Sequence, residues 1–444
     1  MKTNLTFSGL CRAYLRARGC VSALTLVTVL TACGGGDVAQ PLEPAVDTRE
    51  TSVTATTTVR WTGGGADGIT VSALTAASDG GLWVAGTEGG FFGRPFLRKF
   101  EGSAVNPCGA DGLRFLSEIS GRFERRQGVM AMTPVRDGAF YVAFQGPVNV
   151  LVARYLEASC SIDAGFGNLG VAAFPIPGLL FPNGVTIQRD ALGGILVAVA
   201  FTGKVHLRRL TSQGAWDAGF GDQGLAVNQN ADNFWLGGLA TAANGDILVS
   251  GSVSIPFAFQ PALMKLDATG RVVNGFGTAG VQRYPELSLG TGGAGAMVVE
   301  GSRVVFGVNT AVSVFLNDIG TNDSLLAAVD LNTGRLLPSF GTGGFLRWDW
   351  GYSNSNVAGG WQLNGRGGYT GCGHMIRSFV LGQPATLIDI TAAGQFDGTV
   401  PYQGRRLIAQ TNNAQCAGLA RLPDGRLAAA VNEGGQAVVM FFNR

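Results

Sequence analysis

Four stretches of the chain are near copies of one another: DAGFGNLGVAAF (residues 163–174), DAGFGDQGLAV (217–227), NGFGTAGVQRY (274–284) and PSFGTGGFLRW (338–348). Their phenylalanines, Phe166, Phe220, Phe276 and Phe340, are 54, 56 and 64 residues apart. A repeat of this length indicates one supersecondary unit per copy, and such units become stable by packing against further copies. The sequence therefore indicates a repeat array.

Two other apolar segments accompany each copy. One follows a glycine turn, as in GGLWVAG (80–86) and GGILVAV (193–199), and the next has the form of VHLRRL (205–210). The turn and its strand occur seven times, and residues 53–444 divide into seven units of about 56 residues. With 69 glycines to supply turns between short strands, we predict an all-β fold, a seven-bladed β-propeller of four-stranded blades over residues 53–444.

The two ends of this tract predict how the ring closes. TATTTVRW (54–61) has the pattern of a fourth, outer strand, but no first three strands precede it. QAVVMFF (436–442) has the pattern of a third strand, but no fourth strand follows it. We expect the first strand to complete the last blade, because an unpaired sheet edge promotes aggregation.

The three segments together resemble the bacterial delta-60 repeat, whose units combine a "GkilvaG" strand, an "laRl" strand and a "D..FG..G" turn, and which is similar in style to NHL-type propeller repeats. The resemblance is specific in the second to fifth units. It is weak in the sixth, where GWQLNGRGGYTGCG (360–373) keeps the glycine spacing without an aliphatic strand.

The first 32 residues have the features of an export signal. They carry four basic residues and no acidic one, followed by the apolar run VSALTLVTVLTA (21–32). LTAC (30–33) resembles a bacterial lipobox, which implies cleavage before Cys33 and lipidation of its sulfur; Gly34 then favours the outer membrane by the usual sorting pattern. We predict a lipoprotein signal peptide at 1–32, a lipidated flexible tether at 33–52, and a location in the bacterial cell envelope, held to the membrane by the lipid.

Charge argues against nucleic-acid binding. Removing residues 1–32 removes four positive charges, which changes the formal net charge from +2 to −2. The exported domain therefore has no basic field to hold a phosphate backbone.

Four cysteines remain for disulfides after Cys33 is lipidated: Cys108, Cys160, Cys372 and Cys416. In an oxidising compartment they permit two bridges and three pairings. On the NHL-like strand assignment, Cys108 and Cys160 fall in third-to-fourth strand turns of neighbouring blades, and Cys372 and Cys416 fall at strand ends toward the opposite face. This placement predicts the pairs 108–160 and 372–416.

No motif predicts catalysis. Three G-x-G-x-x-G matches recur once per unit before β-like runs, so they are interpreted as strand turns rather than nucleotide loops, with their phenylalanines filling the gap between blades. His206 and His374 are the only histidines, and His374 is the better site candidate. We predict no catalytic, cofactor-binding or metal-binding residues and no cofactor, although carboxylates could still converge on a metal.

Long, aromatic loops concentrate on one face of the predicted ring. They predict a partner surface with rings beside arginines and amides, which suits a protein segment or a glycan; the alternative is that the loops bury their own rings. The predicted partner-binding residues are Arg125, Arg126, Trp235, Trp348, Trp350, Tyr352 and His374. The predicted function is noncatalytic binding of a protein or glycan, and the alternative is a propeller hydrolase or lyase with a metal-assisted site at the channel mouth.

Overall fold

The computed structural model describes residues 57–62, 68–89, 93–101, 104–106, 108, 113–116, 128–145, 149–175, 184–201, 203–228, 233–256, 258–287, 291–311, 324–348, 354–356, 360–376, 384–400, 404–409 and 414–443. All of them belong to one compact unit, Arg49–Arg444. Over these residues the chain forms strands, with one short 3-10 helix at Pro285–Leu287. The predicted signal peptide and tether lie outside the described residues.

The strands form seven antiparallel blades, which confirms the predicted fold class; a single parallel pairing, Phe259 with Thr291, joins the fourth and fifth blades into one continuous sheet. Blade 1 consists of β2 (Ile69–Ala76), β3 (Leu82–Glu88), β4 (Arg94–Glu101), β5 (Ala104–Asn106) and β6 (Leu113–Phe115). Blade 2 consists of β7 (Gly128–Met132), β8 (Ala139–Gln145), β9 (Asn149–Leu156), β10 (Ser161–Ile162) and β11 (Val171–Pro175). Blade 3 consists of β12 (Val185–Arg189), β13 (Ile195–Phe201), β14 (Lys204–Leu210) and β15 (Ala226–Val227). Blade 4 consists of β16 (Phe234–Thr241), β17 (Ile247–Ile255), β18 (Ala258–Leu266) and β19 (Val281–Arg283).

The remaining three blades follow the same order from the inner to the outer strand. Blade 5 consists of β20 (Thr291–Glu300), β21 (Arg303–Ala311), β22 (Ser324–Asp330) and β23 (Phe345–Trp348). Blade 6 consists of β24 (Asn354–Asn356), β25 (Trp361–Leu363), β26 (Tyr369–Ile376), β27 (Ala385–Ile390) and β28 (Arg405–Ala409). Blade 7 consists of β29 (Ala414–Arg421), β30 (Leu427–Glu433), β31 (Gln436–Phe442) and β1 (Thr57–Thr62). The inner strand of each blade contacts that of the next, and β29 contacts β2, so the ring is closed.

The N-terminal strand completes the last blade, as predicted. β1 runs antiparallel to β31 from the pair Thr57–Phe441 to the pair Thr62–Gln436. The buried ring of Trp61 also contacts Phe100 of blade 1, with 5.2 Å between ring centroids. The strand therefore holds blades 7 and 1 together.

The repeated phenylalanine turns connect one blade to the next. Phe166, Phe220, Phe276 and Phe340 are at most 1% exposed, and each lies against a glycine of the following blade, namely Gly214, Gly270, Gly334 and Gly394. The amide of Gly221, directly after Phe220, donates to the carbonyl of Thr269 in the next blade at 2.7 Å. The glycines after the phenylalanines have positive φ angles, which an L side chain rarely adopts. The turn glycines and the gap-filling phenylalanines were thus interpreted correctly.

Both predicted disulfides are present, joining Cys108 to Cys160 and Cys372 to Cys416. The first joins blades 1 and 2 through their third-to-fourth strand connections, as expected. The predicted position of the second was wrong: Cys372 lies inside β26 and Cys416 inside β29, both buried in the interface of blades 6 and 7. Gly371, next to Cys372, is a strand residue that leaves room for Trp361, whose ring lies 2.7 Å from where a Cβ would be.

Loss of the buried bridge is expected to destabilise the propeller. In the chain-entropy model, opening a loop of 44 residues lowers the free energy of unfolding by about 4 kcal/mol. Urea unfolding of Cys372→Ala/Cys416→Ala, compared with the parent protein, measures this change. Dithiothreitol should lower the free energy of unfolding of the double variant less than that of the parent, since one bridge is already gone. If the double substitution lowers the free energy of unfolding by less than about 1 kcal/mol, the prediction is wrong.

Candidate functional site

The ring has two chemically different faces. The side that carries the connections from first to second strands and from third to fourth strands is here called the turn face. The side that carries the other connections is called the loop face. Most loop-face connections lie outside the described residues, including Arg125, Arg126, Trp350 and Tyr352. The structure therefore describes only part of the predicted partner surface.

Trp235 is the clearest loop-face candidate. It is 44% exposed, and the other exposed large apolar side chains in the described part of the chain are Leu169 and Leu192 of the turn face. Its ring meets Phe259 edge to face, with centroids 5.9 Å apart. The preceding backbone is fixed, because the amide of Phe234 donates to the carbonyl of Gly203 at 2.7 Å and Asn233 accepts from the amide of Ser254 at 2.9 Å. An aromatic ring is thus presented to solvent on a rigid inner strand.

Trp348 is in a different situation. It ends β23, is 4% exposed, and packs edge to face on Trp361 and Phe396 between blades 5 and 6. Its ring is part of the core, which agrees with the alternative that the loops bury their own aromatic rings. We therefore leave Trp348 out of the surface tested below.

The two histidines lie in separate blades. His374, in β26, is half-buried, and desolvation lowers its pKa. His206, in β14, also has a lowered pKa, mainly through desolvation, with further effects of Lys204 and Arg208. In both, burial favours the neutral imidazole. Among the residues that the structure describes, no group of three or more His, Cys, Asp or Glu side chains is placed to hold a metal ion.

Basic residues of the third strands organise the turn face in blades 1 to 4. Each occupies the same position in its strand and binds an aspartate of a turn: Lys99 with Asp79, Arg154 with Asp163, Arg209 with Asp217, and Lys265 with Asp246. Lys265 also donates to the carbonyl of Leu331 in the next blade at 3.0 Å. The basic position of the "laRl" strand is therefore structural, a role that its recurrence in the sequence could have indicated.

On the described part of the turn face, open clefts lie between neighbouring blades. Their volumes are about 620 Å³ between blades 7 and 1, about 470 Å³ between blades 2 and 3, and about 300 Å³ between blades 6 and 7. The cleft between blades 2 and 3, which we call the arginine cleft, is lined by four arginines: Arg136, Arg154, Arg189 and Arg209. Arg154 and Arg209 belong to the repeated third strands, but Arg136 and Arg189 lie outside the repeated motifs, so the sequence gives no sign that the four meet.

Comparisons with known proteins bear on the fold. No family model matches the sequence, and no curated protein matches it. The structure is similar to the Dos1 propeller, with 9% identity, a TM-score of 0.46, and coverage of 87% of this chain and 94% of that one. Sqt1 from Chaetomium thermophilum gives 12% identity, a TM-score of 0.48 and coverage of 85% and 96%, and a polysaccharide lyase, an ulvan lyase, gives 13%, 0.46, 69% and 78%. These are likenesses of fold alone.

One observation concerns the membrane. Within the described ranges, none of the helical segments has the length and apolar character needed to cross a bilayer.

Proposed function

We propose that this propeller is a noncatalytic binding protein that holds a protein or glycan partner on its loop face. The observation that carries the proposal is the exposed ring of Trp235, fixed by Phe259 on a rigid inner strand. Tryptophan buries a large area at little cost in conformational entropy, and it is enriched among residues that dominate binding energy. The described strands supply the rigid support that such a site needs.

The cellular location of the protein is part of the same proposal. We propose a lipoprotein of the delta-60 repeat type, with a signal peptide at 1–32, a tether from lipidated Cys33 to residue 52, and the propeller from 53 onward. The leader, the LTAC segment and the repeats support this assignment. Two disulfides are compatible with an oxidising envelope compartment, where the lipid would hold the domain beside envelope proteins and polysaccharides.

Replacing Trp235 is the direct test. We expect Trp235→Ala to weaken partner binding by about 30-fold, because truncating a central binding tryptophan costs about 2 kcal/mol or more. Binding is measured by titrating immobilised protein with fractionated envelope proteins and, separately, envelope polysaccharides. The melting curve should barely change, because nearly half of the side chain is already in solvent.

A matched control distinguishes binding at the loop face from non-specific binding to exposed apolar side chains. Leu169 is 55% exposed but lies on the turn face, outside the clefts described above, so Leu169→Ala should bind as the parent protein does. Equal binding by Trp235→Ala and the parent, or equal losses in both variants, would refute the loop-face assignment.

A further inference from the structure

The arginine cleft is built from two successive blades. Blade 2 contributes Arg136 and Asp137 from the turn between β7 and β8, and the ring of Tyr141 from β8. Blade 3 contributes Arg189 from the end of β12 and the turn that follows it.

Two of the four arginines are neutralised by aspartates. Arg154 lies 2.9 Å from the carboxylate of Asp163, and Arg209 lies 2.6 Å from that of Asp217. The hydrogen bond from Arg209 is also the main reason why the pKa of Asp217 lies below its usual range. These pairs hold the turns of each blade and leave little charge for a ligand.

Arg189 is held differently. Its Nη2 donates to the main-chain carbonyls of Arg136 at 3.1 Å and Ala139 at 2.7 Å, and its guanidinium lies 4.9 Å from the centroid of the Tyr141 ring. No carboxylate of the described residues forms an ion pair with it. Desolvation lowers the pKa of Arg189, and Asp137 acts in the opposite direction. The guanidinium is therefore fixed in place while its charge still favours an anion.

Arg136 adds a second available cation. Its side chain is 58% exposed, and its ion pair with the 80% exposed Asp137 is long, at 3.6 Å. Such surface pairs contribute little free energy and exchange readily. Arg136 can therefore turn to a ligand at small cost.

We propose that the arginine cleft binds the carboxylate of an acidic sugar, with Arg189 as the fixed cation and Arg136 as the mobile one. Arginine presents planar N–H donors that match a carboxylate. Beyond Leu192 and Leu210, the lining offers polar groups, including the hydroxyls of Thr211 and Ser212. It also includes three carboxylates, of which Asp190 and Asp217 lie against Arg209 and Asp137 against Arg136. The hydroxyls suit the hydroxyls of a sugar ring. Arginine clusters also bind acidic peptides, so an acidic peptide is the competing ligand. A volume of about 470 Å³ lies within the range of small-ligand sites.

This site is independent of the loop-face proposal. It lies on the opposite face and uses none of the residues around Trp235, so Trp235→Ala should leave it intact. Failure of one site therefore does not imply failure of the other.

Calorimetric titration of the full-length protein with tri-galacturonic acid tests the inference. We expect one binding site per chain, weaker binding at higher salt, and no heat with maltotriose, a neutral trisaccharide. Arg189→Met and Arg136→Met should each weaken binding by about tenfold or more, the range expected for losing a charged hydrogen bond. Asp137→Asn should tighten binding severalfold, because it removes the carboxylate that competes for Arg136.

The controls keep the test decisive even if Arg189→Met perturbs the fold. Arg136 and Asp137 are exposed, so their variants should melt as the parent protein does, and Arg335→Met, at an exposed turn-face arginine outside the cleft, should bind normally. Absence of binding by tri-galacturonic acid, unchanged affinity in Arg136→Met, or tighter binding of a hexaglutamate peptide than of the trisaccharide would each overturn the proposal.

Discussion

Deleting residues 53–62 is expected to abolish the cooperative unfolding transition of the propeller. The deletion removes β1, and with it the whole ladder to β31 and the buried indole of Trp61. It also exposes the edge of a strand whose side chains are almost all buried, and such an edge promotes association with other chains. The deletion variant should melt broadly and aggregate in differential scanning calorimetry and light scattering.

Single substitutions in β1 separate the contribution of the side chain from that of the strand. Trp61→Ala should lower the free energy of unfolding by about 3–5 kcal/mol, since it empties a large buried volume between blades 7 and 1. Thr58→Ala, at an exposed position of the same strand, should change it by less than about 0.5 kcal/mol. A deletion variant that melts like the parent protein would show that the ring does not depend on this closure.

The elements that recur in the sequence were the predictable ones. The period of about 56 residues predicted the number of blades, because each copy carries its own turn and strand signals. The closure followed from two incomplete ends, and the disulfide pairs followed from the strand assignment. The strand and turn signals from which these predictions start are local and recur along the chain.

Features that depend on contacts between blades were not predictable in the same way. Cys372 was predicted at a strand end, whereas it lies inside β26 and is buried together with Cys416 of blade 7. The burial of Trp348 also depends on Trp361. The arginine cleft needs Arg136 and Arg189 to meet, although the two residues are 53 positions apart in the sequence.

Substitution of Phe220 is expected to give the second large effect. Phe220 is fully buried, its ring lies against Gly270 of the next blade, and the guanidinium of Arg209 lies 4.9 Å from the ring centroid. Phe220→Ala should therefore lower the free energy of unfolding by about 3–5 kcal/mol, the usual cost of truncating a buried phenylalanine. Urea unfolding followed by circular dichroism measures it.

A double-mutant cycle shows whether this ring fixes the spacing of the blades. At Gly270 a Cβ would lie 2.7 Å from the Phe220 ring, and φ is +85°; at Gly193 φ is +86°, but nothing lies within 4 Å of the Cβ position. Gly193→Ala should thus cost only the backbone strain of about 1–2 kcal/mol, and Gly270→Ala that strain plus about 1–3 kcal/mol for the steric overlap. Once Phe220→Ala has emptied the space, Gly270→Ala should cost no more than Gly193→Ala does, because only the backbone strain is left. Strict additivity of Phe220→Ala and Gly270→Ala would mean that ring and glycine do not touch, and that the repeated phenylalanine has some role other than setting the distance between neighbouring blades.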